Sequence, residues 1–203
     1  MMTPRPHDLL WLRDRASLQG ITDPWVNTQW HCGLPVVVRR DVDGENVPVG
    51  VRGLRRDQRA AGWVARDSVT RRVTPESLTD LALLLNSPFV SQPPVQAAIQ
   101  LAQHAWPWPW GITGSVGYAL ATDIPVLHAD SDLDLTLRAP TPLQPAQFAG
   151  WQALIGRLLC RADTQVETPN GAFSLNEWLR DGRVLLKTNQ GPRLVSDPWH
   201  REA

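Results

Sequence analysis

The chain has little lysine, cysteine, phenylalanine or tyrosine. Lys187 is its one lysine among 20 basic residues, and one Tyr and three Phe stand beside ten Trp. The two cysteines, Cys32 and Cys160, lie far apart. They form no metal-type pair and no disulfide framework, and read as buried thiols of a reducing compartment. No apolar run reaches 18 residues and no apolar signal core follows Met1–Asp8, so neither a membrane span nor export is expected. Charge of one sign is also lacking, with 20 basic and 20 acidic residues. Proteins that coat nucleic acid or anionic lipid carry a basic excess, so neither partner is expected and a cytoplasmic protein is. No Gly-Lys-Ser/Thr completes a phosphate loop of the Walker type, and the five histidines show no metal spacing. What is present is ample core material: 42% of the 203 residues are apolar, enough for one or two domains.

Charge is unevenly placed. Residues 1–80 hold twelve Arg against ten acids, and residues 81–203 hold seven Arg and Lys187 against ten acids. A mostly β N-terminal module of residues 1–80 and an α/β domain of residues 81–203 are therefore expected. In the first, Pro35–Arg39 and Val47–Gly53 read as strands around the Asp43-Gly44 turn, with Pro48 marking an edge or a strand start. Arg55–Trp63 reads as a polar segment with a short helix. In the second, Thr74 caps a helix that Pro75 opens and that runs to about Asn86. Helices follow over about 94–105, 115–121, 145–159 and 174–180. Strands are expected near 111–113, 132–137, 162–167 and 183–188, with 191–199 as an ordered loop. Trp106, Trp108 and Trp110 alternate with proline and read as core, with stacking on an adenine as the alternative.

The informative stretch is Gly114-Ser115-Val116-Gly117-Tyr118 followed by Ser131-Asp132-Leu133-Asp134-Leu135. Alternate residues of a strand share a face, so Asp132 and Asp134 project together while Leu133 and Leu135 enter the core. Two neighbouring carboxylates repel unless a cation lies between them, and magnesium, a hard ion, suits carboxylate and phosphate oxygens. Gly114 lets the backbone approach a ligand, and Ser115 stands where a helix begins and phosphate is favoured. A phosphate cradle beside a metal-binding pair of aspartates describes a nucleotidyl-transfer site. A third acid is expected on the strand Arg161–Glu167, where Asp163 and Glu167 are both available.

Gly-Ser, an Asp-x-Asp strand and a later strand acid resemble the polymerase-β-like nucleotidyltransferase superfamily. The wider chain resembles malonate decarboxylase holo-[acyl-carrier-protein] synthase, the phosphoribosyl-dephospho-CoA transferase family. The resemblance is carried by Pro6–Trp11, Pro48–Gly53 with Arg56, Gln58 and Arg59, Gly114–Tyr118, Ser131–Leu135, Gln165–Pro169 with Gly171, Glu177-Trp178 and Gly191–Leu194. It implies a nucleotidyltransferase-type mixed sheet. It implies 2′-(5″-triphosphoribosyl)-3′-dephospho-CoA as substrate and the acyl-carrier-protein subunit of malonate decarboxylase as partner, with diphosphate released. On this reading Asp132, Asp134 and Asp163 bind Mg2+ and act in catalysis, and Gly114 and Ser115 hold phosphates.

Arg56 and Arg59, with Arg52 and Arg55, would bind substrate phosphates or an acidic carrier; the alternative is a solvated face paired with Asp57 and Asp67. Lys187 is either a phosphate ligand or an exposed strand lysine, and Arg193 has the same two readings. Two other functions fit the motifs: an ATP-using nucleotidyltransferase with another acceptor, and a non-catalytic nucleotide- or protein-binding module.

Overall fold

The computed structural model describes residues 3–42, 44–55, 57–128 and 130–200, and the chain forms two compact units, Met1–Thr74 and Pro75–Ala203. The N-terminal unit is built on strands β1 (Leu9–Leu12), β2 (Leu18–Gln19), β3 (Val36–Val38), β4 (Asn46–Arg52), β5 (Arg59–Ala65) and β6 (Val69–Val73), with one helical turn, α1 (Val26–Gln29). They make an antiparallel sheet in the order β2-β5-β4-β3-β1-β6.

Period-two alternation explains the core of this unit. Val47, Val49 and Val51 of β4 point inward with Ala60 and Val64 of β5 and with Leu10, Leu12, Val36 and Val38. Residues 59–63 are strand, not helix, because Arg59–Ala65 can bury every second side chain against β4, and that pairing outweighs local helix preference. Pro48 is not on an edge, since β4 lies between β5 and β3. Its carbonyl accepts from Arg39 N at 3.0 Å, beyond the end of β3, so its missing N–H removes no ladder bond.

Arginines in this unit are tied down locally. Arg72 Nε forms an ion pair with the fully buried Asp8 at 2.7 Å, Arg39 meets Asp41 at 2.9 Å, and the Arg71 guanidinium lies 4.3 Å from the Trp11 ring centre. A cavity of about 220 Å³ beside β6 is lined by Thr3, Pro4, Arg66, Val69, Thr70, Arg71 and Arg72.

The second unit begins six residues earlier than the sequence reading placed it. A 3-10 turn, Pro75–Thr79, packs on the second sheet: a Cβ on Gly111 would lie 2.5 Å from Pro75, and Glu76 receives Arg138 Nε at 2.6 Å. Asp80 then caps α2 (Leu81–Leu85), so the single expected helix is two short pieces. After α3 (Pro93–Ala102) come β7 (Trp110–Ile112), α4 (Gly114–Thr122), β8 (Leu133–Arg138), α5 (Ala149–Ile155), β9 (Ala162–Thr168), β10 (Gly171–Ser174), α6 (Leu175–Asp181), β11 (Val184–Thr188) and β12 (Gly191–Val195). The sheet runs β12-β11-β10-β9-β8-β7 and is mixed, because β8 and β9 pair in parallel while their neighbours are antiparallel. The chain is thus α/β with a β-rich N-terminal unit.

One face of this sheet is apolar. Leu133, Leu135 and Leu137 of β8, Val166 of β9 and Phe173 of β10 are buried on it. Trp151 of α5 donates to Thr164 on the same face at 3.0 Å. Trp106 and Trp110 stand edge-on to Trp151, with centroids 4.9 and 5.8 Å away, and Trp108 packs on Phe148. The tryptophan–proline run is therefore core. The opposite face carries the alternate, polar residues of β8 and β9.

Candidate active site

The site is built at the end of β7. The strand stops at Ile112, Thr113 donates its N–H to the Asp134 carbonyl at 2.9 Å, and Gly114 opens α4 with φ +63°. This left-handed backbone is costly for any residue with a Cβ. Space forbids one as well, since a Cβ on Gly114 would lie 1.9 Å from Asp134 Oδ2. The Asp134 carboxylate therefore lies against the first residue of α4, where the helix dipole favours negative charge. Thr113 makes no side-chain cap; its hydroxyl turns to the Asp134 carbonyl at 3.3 Å.

Asp134 sits between the buried Leu133 and Leu135 and so faces the polar side of the sheet. Parallel pairing then selects its neighbour. The register sets Asp134 opposite Asp163 and Arg138 opposite Glu167. Four residues along a strand span about 13 Å, so Asp163, and not Glu167, is beside Asp134. Glu167 is buried and lies 3.7 Å from Arg138 Nη1, which draws it into the ion pairs at the other end of the strand. Asp163 meets Arg161 at 3.0 Å, an exposed and well-screened pair.

Asp132 directly precedes β8 and is half-buried. It is close enough to Cys160 to act on it: burial first, and then the Asp132 charge, push the Cys160 thiol above its ordinary value. Among the described residues, no three His, Cys, Asp or Glu side chains are gathered into a ready metal cage. That donor set still suits a hard divalent ion such as magnesium, which commonly takes one or two carboxylates and completes its shell with substrate phosphate and water.

Lys187 is not brought to this row. Lys187 is exposed on β11 opposite Ala172, which in turn pairs with Glu167. It shares the polar face, but lies three strands away from Asp134 at about 4.8 Å per strand, in the Glu167 register. Arg59 is an exposed residue of the N-terminal unit whose guanidinium donates to the Gln58 carbonyl at 3.2 Å, and Arg56 lies outside the described residues. Arg55 pairs with Asp57 at 2.9 Å, so part of that basic run is neutralised where it stands. Sequence reasoning missed the contact between Gly114 and Asp134; the signal available was a glycine and an aspartate at the ends of two strands that pair as neighbours.

Comparison with known proteins places the chain. Residues 80–198 match the family model for the phosphoribosyl-dephospho-CoA transferase MdcG C-terminal domain, and residues 5–75 match that for the MdcG N-terminal domain. The two matches meet where the two compact units divide. A protein of Klebsiella pneumoniae named phosphoribosyl-dephospho-CoA transferase is 65% identical over 201 residues, covering 98% of each chain. Proteins of the same name from Azotobacter vinelandii and Pseudomonas syringae pv. tomato are 41% and 42% identical, covering 100% and 96% of this chain and 97% and 93% of their own. No solved structure matches. Both units are thus matched in order and over nearly their whole length, and the chain belongs to the phosphoribosyl-dephospho-CoA transferase family and with it to the transferases.

Proposed function

We propose that the chain transfers the phosphoribosyl-dephospho-CoA group from 2′-(5″-triphosphoribosyl)-3′-dephospho-CoA to a serine of the acyl-carrier-protein subunit of malonate decarboxylase. The observation that carries this reading is the pairing of Asp134 with Asp163 beside the Gly114 bend. The start of α4 receives the β- and γ-phosphates through the backbone of Gly114 and Ser115, which orients the triphosphate with its α-phosphorus toward the aspartates. The carrier serine Oγ attacks that phosphorus. A new P–O bond forms, the bond between the α-phosphorus and the bridging oxygen breaks, and diphosphate leaves with that oxygen. Asp163 accepts the serine proton and passes it to solvent. Asp132, Asp134 and Asp163 would hold magnesium, which when bound neutralises polyphosphate charge and makes the hydroxyl more acidic.

No helix among the described residues is long and apolar enough to cross a membrane, and Cys32 and Cys160 are both free thiols, which suits a reaction in the cytoplasm. The deciding experiment incubates the enzyme and Mg2+ with apo carrier and either the triphosphoribosyl precursor or ATP. Diphosphate release with a matching mass increase on the carrier is expected with the precursor. Release with ATP alone, or none with the precursor, would overturn the reading.

A further inference from the structure

The polar face of the second sheet continues past the aspartates to its far edge, where it becomes apolar and cationic. Leu185 of β11 and Leu194 of β12 are direct cross-strand partners, exposed to 44% and 58%. Their side chains therefore stand together on one face. The register carries that face back to the site. Leu185 and Lys187 alternate on β11, Lys187 opposes Ala172, Ala172 opposes Glu167, and Glu167 shares its face of β9 with Asp163. By strand spacing Leu185 is about 12 Å from Asp163. The apolar residues of β11, Val184 and Leu186, point the other way and are buried, so the exposed pair is not displaced core.

Charge sets this edge apart from the rest of its unit. Residues 75–203 hold eight basic residues against twelve acids, a net −4. Residues 182–195 hold Arg183, Lys187 and Arg193 and no acid, a net +3. β12 is also an edge strand, and such strands ordinarily keep large apolar side chains away from solvent. On the face of the two leucines the cation is Lys187, while Arg193 opposes Leu186 and stands on the other side, and Glu177 accepts from Leu185 N–H at 3.1 Å. An exposed leucine pair with a lysine at its rim, on an otherwise acidic unit, forms a surface for a partner that is itself acidic and offers a small apolar patch.

We infer that the β11–β12 hairpin is where the carrier protein docks, through Leu185 and Leu194 with Lys187 at their rim. This rests on the carrier being the acceptor, as proposed above. Acyl-carrier proteins are generally acidic, and the aspartate row repels an acidic partner. A cationic landing site on the same face, one small-loop length away, holds the carrier while its serine reaches the α-phosphorus.

The test uses the full-length enzyme with purified apo carrier. In the double variant Leu185→Ser/Leu194→Ser, both sites are exposed, so folding is preserved. Its KM for the carrier should rise about tenfold with kcat and the KM for the triphosphoribosyl precursor unchanged. Lys187→Glu should also raise the carrier KM, and added salt should raise it further for the wild type than for this variant. Direct titration of carrier onto each enzyme without nucleotide should show the same loss of affinity. An unchanged carrier KM and affinity in both variants overturns the docking site, as does a rise confined to the precursor KM. If the wild type transfers nothing to the carrier, the acceptor assignment fails instead. The direct titration still decides the hairpin: binding that the variants weaken supports it, and absent or unweakened binding overturns it.

Discussion

The two units place charge differently. The N-terminal unit has twelve Arg against eight acids, yet sets acid against base: Asp8 with Arg72, Asp41 with Arg39, Asp57 with Arg55. The C-terminal unit, with the acid excess, also pairs Arg138 with Glu76 and Glu167 and Arg161 with Asp163, but sets Asp134 directly opposite Asp163 on adjacent strands. Like charges in register destabilise a sheet. Both aspartates of this pair are half-buried, and Asp134 lies against the start of a helix. The proposed site rests on this pair, whereas no like-charged pair is part of any reading of the first unit.

That contrast can be broken by experiment. The largest effect is expected from Asp134→Asn, which removes charge and keeps volume. Transfer measured by diphosphate release should fall by about 10²–10³-fold, while the thermal midpoint holds or rises because the repulsion from Asp163 is relieved. A lowered midpoint with residual activity near wild type would erase the distinction between the units. Next is Asp8→Ala in the other unit. Asp8 is fully buried, pairs with Arg72 at 2.7 Å and accepts from Arg5 N at 2.8 Å. Its loss should destabilise the N-terminal unit by about 3 kcal/mol in urea unfolding, the cost of removing one partner of a buried pair. Last is Gly114→Ala, expected to cost about 1–2 kcal/mol of stability for a Cβ in left-handed backbone. Its effect on transfer should be far larger than on stability, because the added carbon displaces the Asp134 carboxylate. Equal and small effects on both would mean that the bend is only a turn.

Legibility differed along the chain for physical reasons. β8, α3 and α4 were readable because one face of each is continuously apolar, as with Leu133, Leu135 and Leu137. β10 was hidden behind a turn signal at Asn170-Gly171, and β12, Gly-Pro-Arg-Leu-Val, has the polar, proline-bearing composition of an edge and read as a loop. β1 gains its strand character from pairing with β3 and β6, and β6 from pairing with β1, far away in the sequence. In the site, Asp132, Asp134 and Gly114 stood out because their chemistry is local to one strand and one turn. The choice between Asp163 and Glu167 depends on the register of a parallel pair, which composition does not encode. Lys187 looked close because it sits on a sheet strand, and lies apart because two strands intervene between β11 and β8.

The parallel union of β8 and β9 has a consequence for biosynthesis. Their paired positions are separated by the α5 crossover, so Asp163 leaves the ribosome well after Asp134 and can join it only once that loop has closed. A nascent chain therefore carries the bend and the first two acids before it carries Asp163, and the acidic row is complete only when β8 and β9 have paired.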